Sequence, residues 1–94
     1  MNAFDWDEDK NLKNQQKHGV RFENAQNTFL DPKRIIYEDI DHGTTNEKRY
    51  YCVGKLGNKI CTVRFTYRRN TIRIFGAGYW RKERRFYETK HKEK

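Results

Sequence analysis

The chain has 94 residues, a formal net charge of +8, 34% hydrophobic residues and 15% aromatic residues. This length excludes two large domains, so we expect one domain over residues 1–94 whose core relies on aromatic rings for volume. The sequence contains neither a signal-peptide core nor a run of about 18 apolar residues, which excludes a membrane-spanning helix and predicts a cytoplasmic protein without membrane contacts.

The first segment with a clear pattern, DWDEDKNLKNQQKHGV, predicts a helix from about Asp7 to Lys17. Acids occupy its first turn, lysines occupy its later turns, and Gly19 stands where a left-handed residue ends many helices. We expect this helix to contact the rest of the protein through Trp6, Leu12 and Val20.

The next segment, FENAQNTFLD, predicts a second helix over residues 22–31. Phe22, Ala25 and Phe29 recur at helical spacing, and Pro32 follows as a stop. This apolar face is narrow, so the helix is expected to pack on one side only.

From Arg34 onwards the pattern changes to short β-branched and aromatic runs, which predict four strands. Gly57-Asn58 and Asn70 supply tight turns between the later runs, so hairpins should connect the last three strands. The runs are RIIYED (34–39), KRYYCVGKL (48–56), KICTVRFTYR (59–68) and TIRIFGAGY (71–79).

The last segment, RKERRFYETKHK (81–92), predicts a C-terminal helix in which Phe86 packs. The predicted order is therefore α-α-β-β-β-β-α, an α+β fold with two N-terminal helices, a four-stranded mainly antiparallel sheet and a C-terminal helix. Cys52 and Cys61 are expected to be ordinary buried thiols, although adjacent strands could also bring them close enough to bridge.

Charge is divided unevenly along the chain. Residues 1–47 carry 6 Lys/Arg and 10 Asp/Glu, whereas residues 48–94 carry 15 and 3. A strongly basic half attracts polyanions, and nucleic acid is the most common one inside a cell. An acidic protein partner and a basic surface that contacts only solvent remain open, but each interpretation places the charged surface in the second half.

Several separated motifs resemble the BrnT family of bacterial ribonuclease toxins from type II toxin–antitoxin systems. The motifs are FDWDEDKNLKNQQKHGVRFENA (4–25), FLDP (29–32), EDIDHGTTNEKRYYCVG (38–54), IRI (72–74) and ERRFYE (83–88). The resemblance implies a compact RelE-like fold and metal-independent RNA cleavage without a cofactor. It also implies a toxin that is monomeric alone, is neutralised by a BrnA-like antitoxin, and meets operator DNA only through that antitoxin.

Two positions depart from the family pattern. Gly76-Ala77-Gly78 stands where family members usually carry Ser-Ala-Arg, so Gly78 replaces an arginine. Arg21 replaces the usual serine that caps the second helix, a loss of about 1 kcal/mol of helix stability. The first departure bears on activity, and it raises the alternative of a catalytically weakened homologue that still binds RNA or the antitoxin.

RNA cleavage without a metal requires an activated 2′-hydroxyl, charge stabilisation at the phosphorus and protonation of the leaving 5′-oxygen. Alternation along the third strand places Arg64 on the face away from the core, where it could converge on a phosphate with Arg68 or Arg69 and with Arg81. A basic face that only contacts solvent is the competing interpretation.

For proton transfer the natural candidate is His42, which lies in the DH motif, although a lone loop histidine is usually a polar turn residue. Glu47 and Arg49 could act as a base and an orienting cation, or could simply form an ion pair. Tyr87 could donate a proton or pack in the core.

Tyr79 and Trp80 offer two interpretations as well, because they could stack on unpaired bases or close the core beside the last helix. A small DNA-binding regulator, with the basic last helix as its reading helix, is a third function class. The residues predicted to contact RNA outside the catalytic set are Arg68, Arg69, Arg73, Tyr79, Trp80, Lys82, Arg84 and Arg85; no metal-ligand set is predicted.

Overall fold

The chain forms one mixed sheet with helices on both faces, and a computed structural model describes residues 3–92. The strands lie in the order β1-β5-β4-β3-β2, with β1 parallel to β5 and all other neighbours antiparallel. In chain order the elements are β1 (Ala3–Trp6), α1 (Glu8–His18), α2 (Phe22–Ala25), a 3-10 helix (Gln26–Leu30), β2 (Ile35–Asp39), β3 (Arg49–Leu56), β4 (Lys59–Arg68), β5 (Thr71–Gly78) and α3 (Arg81–Lys92).

The four predicted strands and the predicted hairpins are confirmed, but the predicted strand count is wrong. The structure adds β1, which pairs with β5 so that Phe4 lies opposite Ile72 and Trp6 opposite Ile74. A four-residue edge strand carries too few positions for its alternation to stand out, and its partner lies almost 70 positions further along the chain. Only the folded sheet brings the two together.

The two predicted N-terminal helices are confirmed in position, but the second one is not a continuous α-helix. α1 begins after Asp7, whose side chain accepts from two backbone amides, and ends at Gly19 with φ 75°. The second helix changes to 3-10 geometry after Ala25. Asn27 and Thr28 are poor helix formers, which explains why the α-helical turn does not continue.

The core face of the sheet, defined as the side that carries α2 and the 3-10 helix, is built from aromatic and β-branched side chains. Phe22, Phe65 and Ile74 are fully buried there. Phe29 lies edge-on to Phe65 with ring centroids 5.0 Å apart. Both cysteines are buried and free, and burial raises the pKa of the Cys52 thiol to about 12, so the thiol interpretation is confirmed.

α1 docks through amide side chains, and the predicted contact through Leu12 is wrong. Leu12 is 45% exposed, whereas Asn11 and Asn14 are the buried residues of the helix. Asn14 donates to the carbonyl oxygens of Val20 and Ala77, each at 2.9 Å, and accepts from the amide of Ala77 at 3.1 Å. Because β1 ends opposite Ile74, this amide takes the place of a neighbouring strand for the last part of β5.

The outer face, opposite the core face, is only partly covered by α3. Tyr87 is 4% exposed and donates a 2.6 Å hydrogen bond to Asp31, and burial together with that bond raises its pKa to about 12. Phe86 is 40% exposed but lies edge-on to Tyr37 with ring centroids 5.5 Å apart, so the prediction that Phe86 packs is confirmed only in part. The buried residue of this helix is Tyr87, one position after Phe86. None of the helices within residues 3–92 is long and apolar enough to span a membrane.

We expect Asn14→Ala to lower the free energy of unfolding by about 2–3 kcal/mol, because it leaves buried backbone groups of Ala77 unpaired. Leu12→Ala is the matched control on the same helix and should cost less than about 0.5 kcal/mol, since its side chain is largely exposed. Urea unfolding followed by circular dichroism measures both. A larger loss for Leu12→Ala would contradict amide docking.

Candidate nucleic-acid interface

Four arginines project from the part of the outer face that α3 leaves open. Sheet register places Arg64 opposite Tyr51 and opposite Gly76, and places Arg73 opposite Asp5. Strand alternation puts the side chains of Arg49 and Arg68 on this same face. The later strands therefore contribute their arginines to one surface, which we call the open face and define by Arg49, Arg64, Arg68 and Arg73.

Three of these arginines are held by carboxylates. Glu47 contacts Arg68 at 3.0 Å and Arg49 at 3.7 Å, so Glu47 and Arg49 form the ion pair that was one of their two interpretations. Arg73 donates to Asp5 at 2.7 Å, and that hydrogen bond lowers the pKa of Asp5. Within residues 3–92, Arg64 is the arginine of the open face without a carboxylate partner.

Arg64 lies at a small cleft of about 200 Å³ beneath the start of α3. Its other walls are Tyr51, Thr62, Trp80 and Glu83. Thr62 is 1% exposed and its hydroxyl has no hydrogen-bond partner among the described residues. Glu83, the first-turn acid of α3, was not predicted as a site residue; its place in the ERRFYE motif was the available signal.

His42 lines a neighbouring hollow, where a buried carboxylate holds it. Its Nδ1 lies 3.0 and 2.8 Å from the two oxygens of Asp39, and Asp39 is 7% exposed. An ionised carboxylate only accepts hydrogen bonds, so Nδ1 carries the proton and Nε2 is free. Burial by itself would raise the pKa of Asp39, but hydrogen bonds from His42 and Tyr51 outweigh it and lower that pKa.

The hollow beside His42 and the cleft beside Arg64 adjoin each other. The hollow beside His42 is lined by Tyr37, Lys82 and Phe86, and it shares Tyr51 and Glu83 with the Arg64 cleft. Burial, followed by the hydrogen bond to Asp39, raises the pKa of Tyr51, so its hydroxyl keeps its proton near neutrality. We call these two adjoining hollows the groove. A histidine lines one of them, an unpaired guanidinium lines the other, and a protonated phenol lies between them.

Arg64 also borders a second cleft, which is formed in part by α1. This second cleft lies between α1 and the end of β5 and is lined by Lys10, Lys13, Lys17 and His18. The sequence predicts the charged surface in the second half of the chain, and it predicts only a favourable interaction of these lysines with the helix dipole. Their spacing of three and four residues was the signal that they share one face of the helix.

Several predicted residues lie elsewhere. Arg81 and Arg84 border a separate hollow with Tyr79 beside the β3–β4 hairpin, so the convergence of Arg81 with Arg64 on one phosphate stays a prediction. Arg81 and Arg84 are three positions apart and therefore share one side of the helix. Lys82 and Glu83 line the groove instead. Of the remaining candidates, Arg69 lies at the β4–β5 turn with φ 56°, Arg85 is exposed on α3, and Tyr87 is buried.

Trp80 occupies the space above Gly78, the position of the first family departure. A Cβ atom on Gly78 would lie 2.6 Å from the indole ring, which is too close for any side chain. The same atom on Gly76 would have no neighbour nearer than 3.8 Å. Gly78 is therefore required by the indole, and Trp80 in turn borders the clefts on both sides of Arg64.

The sequence model of the family described as the ribonuclease toxin BrnT of type II toxin–antitoxin systems matches residues 6–83. These residues include every element from α1 to the first turn of α3, and with them the residues of the groove other than Phe86. No curated protein matches the chain at significant similarity. Within residues 3–92, no group of three or more His, Cys, Asp or Glu side chains is arranged to hold a metal ion.

We expect Gly78→Ala to displace the Trp80 indole, because the added methyl group meets the ring. In a Trp6→Phe background, the emission of Trp80 should shift to longer wavelength as the ring moves into water. Gly76→Ala adds the same methyl group two residues away and should leave the emission unchanged. Equal spectra for the two variants would contradict the placement of Trp80 over Gly78.

Proposed function

Because the chain belongs to the BrnT family of ribonuclease toxins of type II toxin–antitoxin systems, we propose that it cleaves RNA endonucleolytically without a metal or another cofactor and thereby inhibits translation. The proposed setting is the cytoplasm, and the proposed architecture is RelE-like. The observation that carries the catalytic assignment is the groove, in which an Asp39-held His42 and an unpaired Arg64 line adjoining hollows.

His42 is the proposed proton acceptor. Its Nε2 would take the proton of the ribose 2′-hydroxyl while Asp39 holds the ring in the required orientation and tautomer. Asp39 touches no substrate in this scheme and acts as a positioning residue. The 2′-oxygen then attacks the phosphorus, the bond to the 5′-oxygen breaks, and a 2′,3′-cyclic phosphate forms as the 5′-oxygen leaves with a proton from solvent water.

Arg64 is the proposed stabiliser of the phosphorane. Its guanidinium is permanently charged and can donate to two phosphate oxygens at once. The neighbouring arginines are already committed to Glu47 and Asp5, so Arg64 can bind a phosphate without first breaking an ion pair. The Tyr51 hydroxyl keeps its proton and donates a hydrogen bond to Asp39, so it supports the carboxylate that holds His42.

The proposed partners are RNA and a BrnA-like antitoxin, with operator DNA reached only through the antitoxin and the toxin monomeric when alone. A segment with acidic side chains could neutralise the toxin by covering the cations that RNA needs. The alternative is a catalytically weakened homologue that only binds RNA or antitoxin. Incubation of RNA with purified protein in EDTA separates the two: cleavage supports the enzyme, and saturable binding with intact RNA supports the binder.

We expect Arg64→Ala to lower the cleavage rate at least tenfold, because removing one preorganised donor typically costs about 10²–10³ in kcat. The thermal midpoint should change little, since Arg64 makes no ion pair within the described residues. Arg34→Ala is the matched control, because Arg34 contacts the carbonyl of Asp31 away from the groove. Unchanged turnover of a defined RNA by Arg64→Ala would remove this residue from the site.

We expect Asp39 and His42 to behave as one unit. His42→Gln should lower the single-turnover rate by about 10²–10³-fold, because general acid–base catalysis contributes about 10²–10⁴. Asp39→Asn should cost less, and the double variant should be no slower than His42→Gln, because the carboxylate acts only through the ring. Fully additive losses in this double-mutant cycle would contradict the positioning role of Asp39.

A further inference from the structure

The cleft between α1 and the end of β5 gathers cations that nothing neutralises. Lys10, Lys13 and Lys17 lie along its helical wall, and Arg64 lies across from them. No Asp or Glu lines the cleft, and within residues 3–92 none of these four cations forms an ion pair. This arrangement contrasts with the open face, where the other arginines have carboxylate partners.

Uncompensated like charges at helical spacing cost stability in the unliganded protein. Acids are available in the same helix, but they are used elsewhere: Asp7 caps the helix, and Glu8 accepts hydrogen bonds from Trp6 and Asn11. The lysines of the helix line the cleft, and none of its acids does. A bound anion would relieve the repulsion among the lysines and Arg64.

The shape and the lining of the cleft indicate what kind of anion fits. Its volume is about 250 Å³, and the rings of Phe75 and Trp80 form part of its wall. A single strand can place a phosphate among the lysines and an unpaired base against Trp80, whereas the ring of Phe75 is already covered by the guanidinium of Arg49, 4.2 Å from the ring centroid. An acidic protein segment would match the charge but would not use the ring of Trp80.

We propose that this cleft binds a phosphate of single-stranded RNA next to the linkage held by Arg64, with Lys10, Lys13 and Lys17 as its ligands. This inference rests on the proposed function for the direction of the strand through the groove. It adds a binding subsite on the first helix, in the half of the chain whose net charge is negative. Trp80 lies at the junction of the two sites and supplies a surface on which a base can stack.

The test compares two triple variants with equal charge change. Lys10→Gln/Lys13→Gln/Lys17→Gln alters the cleft, and Lys33→Gln/Lys55→Gln/Lys90→Gln alters exposed lysines outside it. The probe is a fluorescent single-stranded 2′-O-methyl RNA, which has no free 2′-hydroxyl and is not cleaved. Its affinity is measured by anisotropy at several salt concentrations, and circular dichroism verifies that both variants fold.

We expect the cleft variant to bind the probe at least tenfold more weakly at low salt. The slope of log affinity against log salt should become shallower by about 0.7, because the cleft neutralises one phosphate and each phosphate contributes about 0.7 for single strands. The control variant should change that slope by less than half as much. Equal changes in the two variants would overturn the proposal.

The same variants distinguish this inference from the proposed catalytic function. If the wild-type chain leaves unmodified RNA intact but binds the probe with a lysine-dependent slope, the nuclease assignment fails and the subsite stands. If the cleft variant keeps its affinity for the probe but loses affinity for a glutamate-rich peptide, the cleft is a protein-binding site and the subsite is overturned.

Discussion

The hydrogen bonds of Asn14 decide where α1 lies, and the position of α1 decides how much of the outer face stays open. α1 buries two amides and no apolar side chain. Hydrophobic contacts are non-directional, whereas an amide that must satisfy the N–H and the C=O of Ala77 tolerates one orientation. The helix is thereby fixed in rotation, and its lysines face the cleft beside Arg64.

Ion pairs divide the arginines of the open face into those with a carboxylate partner and Arg64, which has none among residues 3–92. Glu47 and Asp5 hold three arginines of the open face, and these pairs tie β1 and the loop before β3 to the sheet. Exposed pairs of this kind stabilise a fold by only about 0–1 kcal/mol each, so their main effect here is on electrostatics. On the open face, these pairs reduce the positive field around Arg49, Arg68 and Arg73 and leave Arg64 without a carboxylate partner among residues 3–92.

Local patterns predicted the strands, the hairpins and the ends of α1, because turn residues and β-branched runs act over a few positions. The features that were missed depend on contacts between distant parts of the chain. β1 forms only because it pairs with β5, and Asn14 is buried because it bonds to the backbone of Ala77. The lysine cleft lies between α1 and β5, so it depends on the contacts that bring these two elements together. The negative net charge of residues 1–47 gave no indication of this cleft, because a net charge does not show which side of a helix each charged side chain occupies.

The same dependence on the fold changes the meaning of Gly78. An arginine at this position and the indole of Trp80 exclude each other, because a Cβ on Gly78 would already lie 2.6 Å from the ring. The departure from the family pattern thus exchanges a charge for an aromatic surface at one place. Under the proposed function, Arg64 and the lysines of α1 supply the charge, and Trp80 supplies stacking worth about 1–3 kcal/mol per base. Gly78 is then a condition for the position of Trp80, which weakens the case that this chain has lost its activity.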